Sequence, residues 1–348
     1  MMKLNGTYSI DKFLDEVLYN KKSGYYSQSK PFGKEGDFIT APLITPMFSE
    51  MISIWVISFW IKVGKPKKFS FVELGPGNGV FCKTFCNTFK NFPEFKKSIK
   101  IYLLEKSEKL TKTQKDLIKE KNVTWIKNLN QIKNGPILFF GNEFFDSIPI
   151  KQFEVKKSKI YERFIEIKKG KFKKFILKKT SKKMINKLNN LNLCLKDGII
   201  EYPQDGLKIL DLIIKKIKKL KGGILLIDYG YLKKQKIDTL QSLKEHKKNI
   251  YYENIGKADI TGLVNFQLLY KFLSVKKLIL NKIVNQSFFL KKIGVIERAE
   301  ILSRKMSFKE KSDLYYRLER LLSEKKMGKL FKVIFASSNK IKFDLGFK

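Results

Sequence analysis

"FSFVELGPGNGVF", residues 69–81, decides the fold of this chain. An apolar run from Phe69 to Leu74 breaks at Gly75, Gly77 and Gly79, and apolar spacing resumes with Val80 and Phe81. That pattern is a buried strand turning directly into a helix. Glycines there let the backbone turn tightly and let a ligand approach main-chain N–H groups. A dinucleotide loop of the form G-x-G-x-x-G would need its third glycine where Val80 stands. The spacing is G-x-G-x-G instead, and an acid, Glu73, precedes it by two residues. An acid at that place suits a ligand with an ammonium group and argues against a pyrophosphate. S-adenosyl-L-methionine is cationic at its amine and at its sulfonium.

Outward from this motif, strands and helices alternate. The helix is expected over 78–91, a second strand at "SIKIYLLE" (98–105), a helix over 107–121, a short strand at "VTWI" (123–126) and a fourth at "GPILFFGNE" (135–143). This alternation implies an α/β fold, a doubly wound parallel sheet with helices on both faces. Glu105 closes the second strand, where such folds place a carboxylate on ribose hydroxyls. Before the sheet lie an amphipathic helix over 8–24, a Gly- and Pro-rich loop over 24–48 and an apolar helix over 46–63. After residue 150 the alternation stops. Residues 159–180 read as a hairpin about Lys169-Gly170, and 181–205 give weak signals. A helix over 205–223 and a fifth strand, "GILLIDYG" (223–230), resume the pattern. Two more strands are expected at 285–294 and 329–337 around a helical stretch at 297–322. The expected division is residues 1–68, N-terminal helices with a cofactor-covering loop; 69–150, first half of the cofactor-binding core; 151–205, an insert; and 206–348, second half of the core.

The composition fits a folded chain, with 43% hydrophobic and 13% aromatic residues among 348. The formal net charge of +39 is almost all lysine, with only five arginines (Arg163, Arg298, Arg304, Arg317, Arg320). Nucleic-acid readers favour arginine for bidentate contacts, so nucleic acid ranks below protein as partner. One histidine and three cysteines (Cys82, Cys86, Cys194) give no zinc set, and no metal is expected. No transmembrane run, signal peptide or transit peptide is read, which points to the cytoplasm rather than the mitochondrial matrix. An exposed apolar face on the 46–63 helix would favour a homodimer.

The fourth strand runs into "GNEFFDSIPIKQF" (141–153), where Asn142, Glu143 and Asp146 sit at its carboxyl end. Ligands bind at that end in open α/β sheets. DNA adenine methyltransferases carry an Asn/Asp-Pro-Pro-aromatic run there to hold a flipped base. Here Glu143-Phe144 follow Asn142 and no proline does, which steers the reading from base towards a cationic acceptor.

Together "LYNKKSGYYS", "FGKEGDFITAP", "VELGPGNG", "GNEFFDSIPIKQF", "LLIDYGY", "GKADITGLVNF" and "MGKLFKV" resemble, in order and spacing, the MidA family of class I S-adenosylmethionine-dependent methyltransferases. The resemblance runs from about residue 8 to 335. It implies a seven-stranded Rossmann-like methyltransferase sheet with an N-terminal helical extension and an inserted α+β subdomain. It also implies S-adenosyl-L-methionine as cofactor. The family includes the mitochondrial methyltransferase that acts on an arginine of a complex I subunit during assembly. An arginine-bearing protein, a respiratory complex subunit or its bacterial counterpart, is therefore the expected substrate. Residue by residue, Gly36, Asp37, Phe38 and Thr40 match the N-terminal motif, expected to fold over the cofactor. Glu73, Gly75, Pro76, Gly77 and Gly79 match the cofactor loop, Asn142, Glu143 and Asp146 the "NEFFD" segment, and Asp228 with Tyr229 the "DYG". The family commonly has arginine at Asn78, histidine at Leu263 and aspartate at Asn265.

A guanidinium is a poor nucleophile because it is always charged. A carboxylate pair can hold it bidentately, localise its charge away from the attacking nitrogen and help remove the proton. Glu143, Asp146 and Asn142 are the candidate catalytic groups. Tyr25, Tyr26, Phe144, Asp228, Tyr229 and His246 are candidates for the acceptor side, with Tyr25 and Tyr26 read in preference as core aromatics. Two other functions stay open on the sequence: an RNA methyltransferase using the basic surface, and an assembly factor that binds the cofactor without turnover.

Overall fold

The computed structural model describes residues 4–25, 40–193, 197–233, 236–244, 247–256, 258–339 and 341–348. The chain divides into two compact units. One gathers Thr40–Phe144, Leu210–Tyr229 and Leu273–Lys348; the other gathers Met1–Ile39, Phe145–Ile209 and Gly230–Phe272.

The first unit is built on β1 (Phe69–Leu74), β2 (Ile99–Leu104), β3 (Val123–Ile126), β4 (Ile137–Asn142), β5 (Gly222–Tyr231), β6 (Ile279–Leu280), β7 (Val284–Asn285) and β8 (Phe331–Ser337). Their order across the sheet is β6-β8-β5-β4-β1-β2-β3, with β7 also on β8. The five strands from β3 to β5 run parallel, and β8 is antiparallel to its neighbours. The order reverses between β1 and β4, the switch point where open α/β sheets bind ligands. Every residue of β1 is buried, as expected of a central strand covered on both faces.

Helix α1 (Pro46–Lys62) starts where the Thr45 hydroxyl accepts the Met47 N–H, with Pro46 at its first position. Eleven of its 17 residues are buried, so its apolar surface goes into the core of its own unit, apart from exposed Ile61. Trp55 is fully buried, lies 5.1 Å edge-on from both Phe335 and Phe343, and donates its indole N–H to Leu345 O at 2.9 Å. Helix α2 (Val80–Phe89) buries Phe81, Cys82, Phe85, Cys86 and Phe89. Phe81 packs at 4.5 Å on Phe140 of β4, and Phe85 at 4.6 Å on Phe71 of β1. Cys82 and Cys86 are free, buried and 4.0 Å apart on one helix face. Helix α3 (Glu108–Leu117) is capped by Ser107, whose hydroxyl accepts the Leu110 N–H.

One expected strand is corrected. Of residues 285–294 only Asn285 lies in the sheet, at the end of the two-residue strand Val284–Asn285, and Gln286–Lys292 is a helix. Gln286, Phe289 and Leu290 are its buried residues, spaced i, i+3, i+4, while Phe288 is exposed. That spacing marks one helical face and not strand alternation.

The second unit carries an antiparallel sheet of Gly6–Ser9, Lys159–Lys168, Lys151–Lys156 and Gly198–Tyr202, with Lys171–Lys179 paired to Lys159–Lys168. The hairpin turns at Lys169 and Gly170, both at positive φ (51° and 73°), the twist that suits a two-residue connection. Helix Ile10–Tyr19 buries Ile10, Phe13, Leu14, Val17 and Leu18 against Ile165, Ile167, Tyr251 and Ile260. The segment over 151–205 thus shares one compact unit with this helix and with residues 230–272. No helix among the described residues is long and apolar enough to cross a membrane.

Candidate active site

Glu73 lies on β1 with Leu103 of β2 on one side and Phe140 of β4 on the other. Its side chain is buried, and Oε2 has no hydrogen-bond partner among the described residues. Burial first, then the charge of Glu105, push its carboxyl from the ordinary 4.5 up to about 8. A buried acceptor in that state is costly unless a donor reaches it, most of all a cationic one. After Leu74 the chain turns through Gly75, Gly77 and Gly79, all at positive φ (62°, 55° and 83°). A Cβ on Gly75 would lie 3.1 Å from the Phe144 ring, and one on Gly79 3.2 Å from both Gln114 Cγ and Ile118 Cδ1. Side chains are therefore disfavoured by conformation at all three glycines and by crowding at Gly75 and Gly79, and Pro76 stiffens the turn between. Asn78, where the family commonly has arginine, is half-buried and its Oδ1 accepts the Val80 N–H.

Glu105 follows β2, and its backbone N–H donates to Ile126 O. Oε1 accepts the Ser107 N–H at 2.8 Å and Oε2 accepts from Gln114 Nε2 at 3.2 Å. Burial raises its carboxyl despite these donors. Gln114, absent from the sequence reading, is fully buried and also donates to Gly77 O at 2.7 Å.

At the end of β4, Glu143 donates its backbone N–H to Ile227 O of β5 and sits at φ 51°. Left-handed backbone is uncommon for glutamate and costs of order 1 kcal/mol. Glu143 Oε1 accepts the Asn142 Nδ2–H at 3.1 Å and the Ala41 N–H at 3.3 Å. Asn142 Oδ1 is buried with no hydrogen-bond partner among the described residues. Thr40 is the residue before the short helix Ala41–Ile44, so this end of the N-terminal motif is tied to the strand end. The first unit thus brings together Thr40, Glu73, Gly75, Pro76, Gly77, Gly79, Glu105, Asn142, Glu143 and Phe144. Asp228 and Tyr229, expected on the acceptor side, are buried on β5; Asp228 Oδ1 accepts the Tyr229 N–H, and Tyr229 packs on Phe331.

Asp146 belongs to the second unit. There it lines a narrow cavity of about 20 Å³ with Glu201, Leu263 and Asn265, room for one water-sized group. Glu201, also missed in the sequence, is buried and accepts from Thr239 N at 2.8 Å, Thr239 Oγ1 at 2.7 Å, Gln152 Nε2 and Tyr231 OH. Burial raises its carboxyl against the Thr239 bonds, and burial with the Glu201 charge pushes the Tyr231 phenol up. Leu263 gives its N–H to Thr239 Oγ1 at 2.9 Å. Asn265 Oδ1 accepts the Leu268 N–H at the start of helix Phe266–Val275, a cap that an aspartate would make equally well. Tyr25 is buried in the core cluster of helix Ile10–Tyr19. Gly36, Asp37, Phe38, Tyr26, His246 and Cys194 lie outside the described residues. Among the described residues no His, Cys, Asp and Glu cluster could hold a metal ion.

A parallel sheet with one antiparallel strand near its edge, a glycine turn after β1 and an acid after β2 define a class I methyltransferase. The family profile described as "Putative S-adenosyl-L-methionine-dependent methyltransferase" matches residues 51–282, and the chain belongs to that family. The chain is 27% identical to the mitochondrial protein arginine methyltransferase NDUFAF7 of Xenopus laevis, over 95% of this chain and 81% of that one. The human protein of the same name is 29% identical over 95% and 80%. Among solved structures, a Burkholderia thailandensis protein bound to S-adenosyl-homocysteine superposes with a TM-score of 0.78 at 21% identity, covering 98% of this chain and 90% of that one, which shows the fold.

S-adenosyl-L-methionine is the cofactor. The residues present fit it: Glu73 Oε2 is buried with no hydrogen-bond partner among the described residues and can take an ammonium, the three glycines carry no side chains to block a ligand, and Glu105 follows β2, where such folds place an acid on ribose hydroxyls.

Proposed function

We propose that this chain is a protein-arginine N-methyltransferase acting on a subunit of a respiratory complex I-type assembly. The named relatives support the substrate class, and they extend over nearly the whole chain. The observation that carries the chemistry is Glu143, held at left-handed φ with its carboxylate fixed by Asn142 and the Ala41 N–H.

Bound S-adenosyl-L-methionine supplies an already activated methyl group on its sulfonium, so the protein has to position and desolvate. Glu73 holds the cofactor's ammonium, Glu105 its ribose, and the glycine turn the main-chain contacts. Glu143 accepts the guanidinium N–H groups, and Asn142 Oδ1 takes a further one. Ion pairing draws the positive charge towards the carboxylate and away from the nitrogen left outside the pair. That nitrogen then attacks, and the excess proton of the delocalised guanidinium leaves through an N–H that Glu143 already holds. Phe144, packed against Gly75, keeps water from this edge.

The test is transfer of labelled methyl from S-adenosyl-L-methionine into an extract of the chain's own cells, with and without nuclease. Nuclease-resistant label recovered as methylarginine supports the reading. Label lost to nuclease overturns it in favour of RNA, and no label at all in favour of a factor without turnover.

A further inference from the structure

Gln114 is the most completely committed polar side chain near the cofactor loop. It is fully buried on α3 and makes three hydrogen bonds to three separate elements. Oε1 accepts the Trp125 indole N–H of β3 at 2.9 Å. Nε2 donates to Gly77 O at 2.7 Å and to Glu105 Oε2 at 3.2 Å. The orientation of the amide follows from chemistry alone. An indole N–H can only donate, so the oxygen must face Trp125; a carbonyl and a carboxylate can only accept, so the nitrogen must face Gly77 and Glu105. The same side chain touches Gly79, where an added Cβ would stand 3.2 Å from Gln114 Cγ.

We propose that Gln114 is the positioning residue of the cofactor site: it locks the glycine turn and the Glu105 carboxylate into one rigid frame. The proposal rests on the reading of Glu105 as the ribose-binding acid. With the Ser107 N–H on Oε1 and Gln114 on Oε2, rotation of the carboxylate is stopped and its remaining lone pairs are aimed in fixed directions. A ribose diol requires just this, two hydroxyls meeting one oriented acceptor. Holding Gly77 O in the same amide makes the distance between turn and carboxylate a property of one side chain. Preorganisation of this kind shows as selectivity for the diol, since the cost of orienting the acid is met before binding.

The experiment compares S-adenosyl-homocysteine with its 2′-deoxy counterpart by calorimetry on the full chain. Wild type should prefer the hydroxylated ligand roughly ten- to hundredfold, the scale of a hydrogen bond to a charged group. Gln114→Met, close in volume, should reduce that preference several-fold or more while still binding both ligands. Gln114→Glu keeps an acceptor for Trp125 but sets a second carboxylate against Glu105 and Gly77 O. Relative to wild type at the same pH, it should lose affinity at pH 8 and close part of that gap towards pH 5, where the new acid can carry a proton and donate again. Trp125 fluorescence and the thermal midpoint report whether each variant is folded. Unchanged diol preference in Gln114→Met, or in Gln114→Glu if the methionine variant does not fold, overturns the positioning role. A wild type without diol preference overturns the ribose reading of Glu105 beneath it, and the two failures are separately visible.

Discussion

The backbone N–H of Ala41 donates to Oε1 of Glu143 at 3.3 Å, across 102 residues of sequence. The segment that follows the N-terminal motif and the acid at the end of β4 are thereby held as one piece. Glu143→Gln keeps an oxygen for the Ala41 and Asn142 donors, so fold and affinity for S-adenosyl-homocysteine should not change. Turnover should fall by about 10²–10⁴-fold, the range for loss of a positioned acid–base group. Methyl incorporation at saturating cofactor checks this, and a wild-type rate in the variant removes Glu143 from the chemistry.

Glu73 links cofactor binding to protons. Its carboxyl, pushed up to about 8, is mostly protonated at pH 7, and a bound ammonium favours its ionised form. Binding of S-adenosyl-homocysteine should therefore release close to one proton at pH 7, and affinity should climb with pH until about 8. Titrations in buffers of different ionisation enthalpy measure the release, which Glu73→Gln should abolish. The stability of the ligand-free protein runs the other way. A folded-state value above the ordinary 4.5 means that the native state holds the proton more tightly. The contribution is full below pH 4.5, declines as pH rises towards 8 and is level beyond.

Gly79→Ala meets both a positive φ of 83° and a Cβ site 3.2 Å from Gln114 Cγ and Ile118 Cδ1. Left-handed backbone for alanine costs roughly 1–2 kcal/mol, and crowding adds to it. The variant should melt earlier and bind S-adenosyl-homocysteine more weakly, by thermal shift and calorimetry. An unaltered melting point would show that the turn relaxes at no cost.

Thr239→Val removes a hydroxyl that donates to Glu201 Oε2 and accepts the Leu263 N–H. Both are left short of a partner inside the second unit, at a cost of about 1–3 kcal/mol. Hydrogen exchange should speed up over residues 259–266 in particular. Uniform exchange across the chain would show that Thr239 does not hold this segment.

Much of the sheet is legible in the sequence because parallel strands buried on both faces are written as uninterrupted apolar runs, and the glycines between β1 and α2 supply the positive φ that a tight strand-to-helix turn needs. Glu73 and Glu105 are readable from their distance to those glycines. Gln114 is not, since its three partners lie 37, 9 and 11 residues away and meet only through folding. Glu201 is hidden for the same reason: a single acid ending "GIIEY" carries no local mark of the Thr239, Tyr231 and Gln152 donors around it. The error at 285–294 has another origin. Two adjacent phenylalanines satisfy a short strand and a short helix alike, and only the neighbouring helices and β8 decide between them.

The place of β8 between β5 and β6 bears on how the chain is made. The partner of β5 on that side is encoded about a hundred residues after β5 itself, so at 5–20 residues per second the ribosome leaves the edge bare for roughly 5–20 seconds. During that interval an apolar strand with unpaired backbone groups is open to any other strand in the cell. Newly made chains should therefore need a chaperone at this edge more than at any other, and a pause in translation between residues 231 and 331 should lower the yield of folded enzyme even though the cofactor loop has long since emerged.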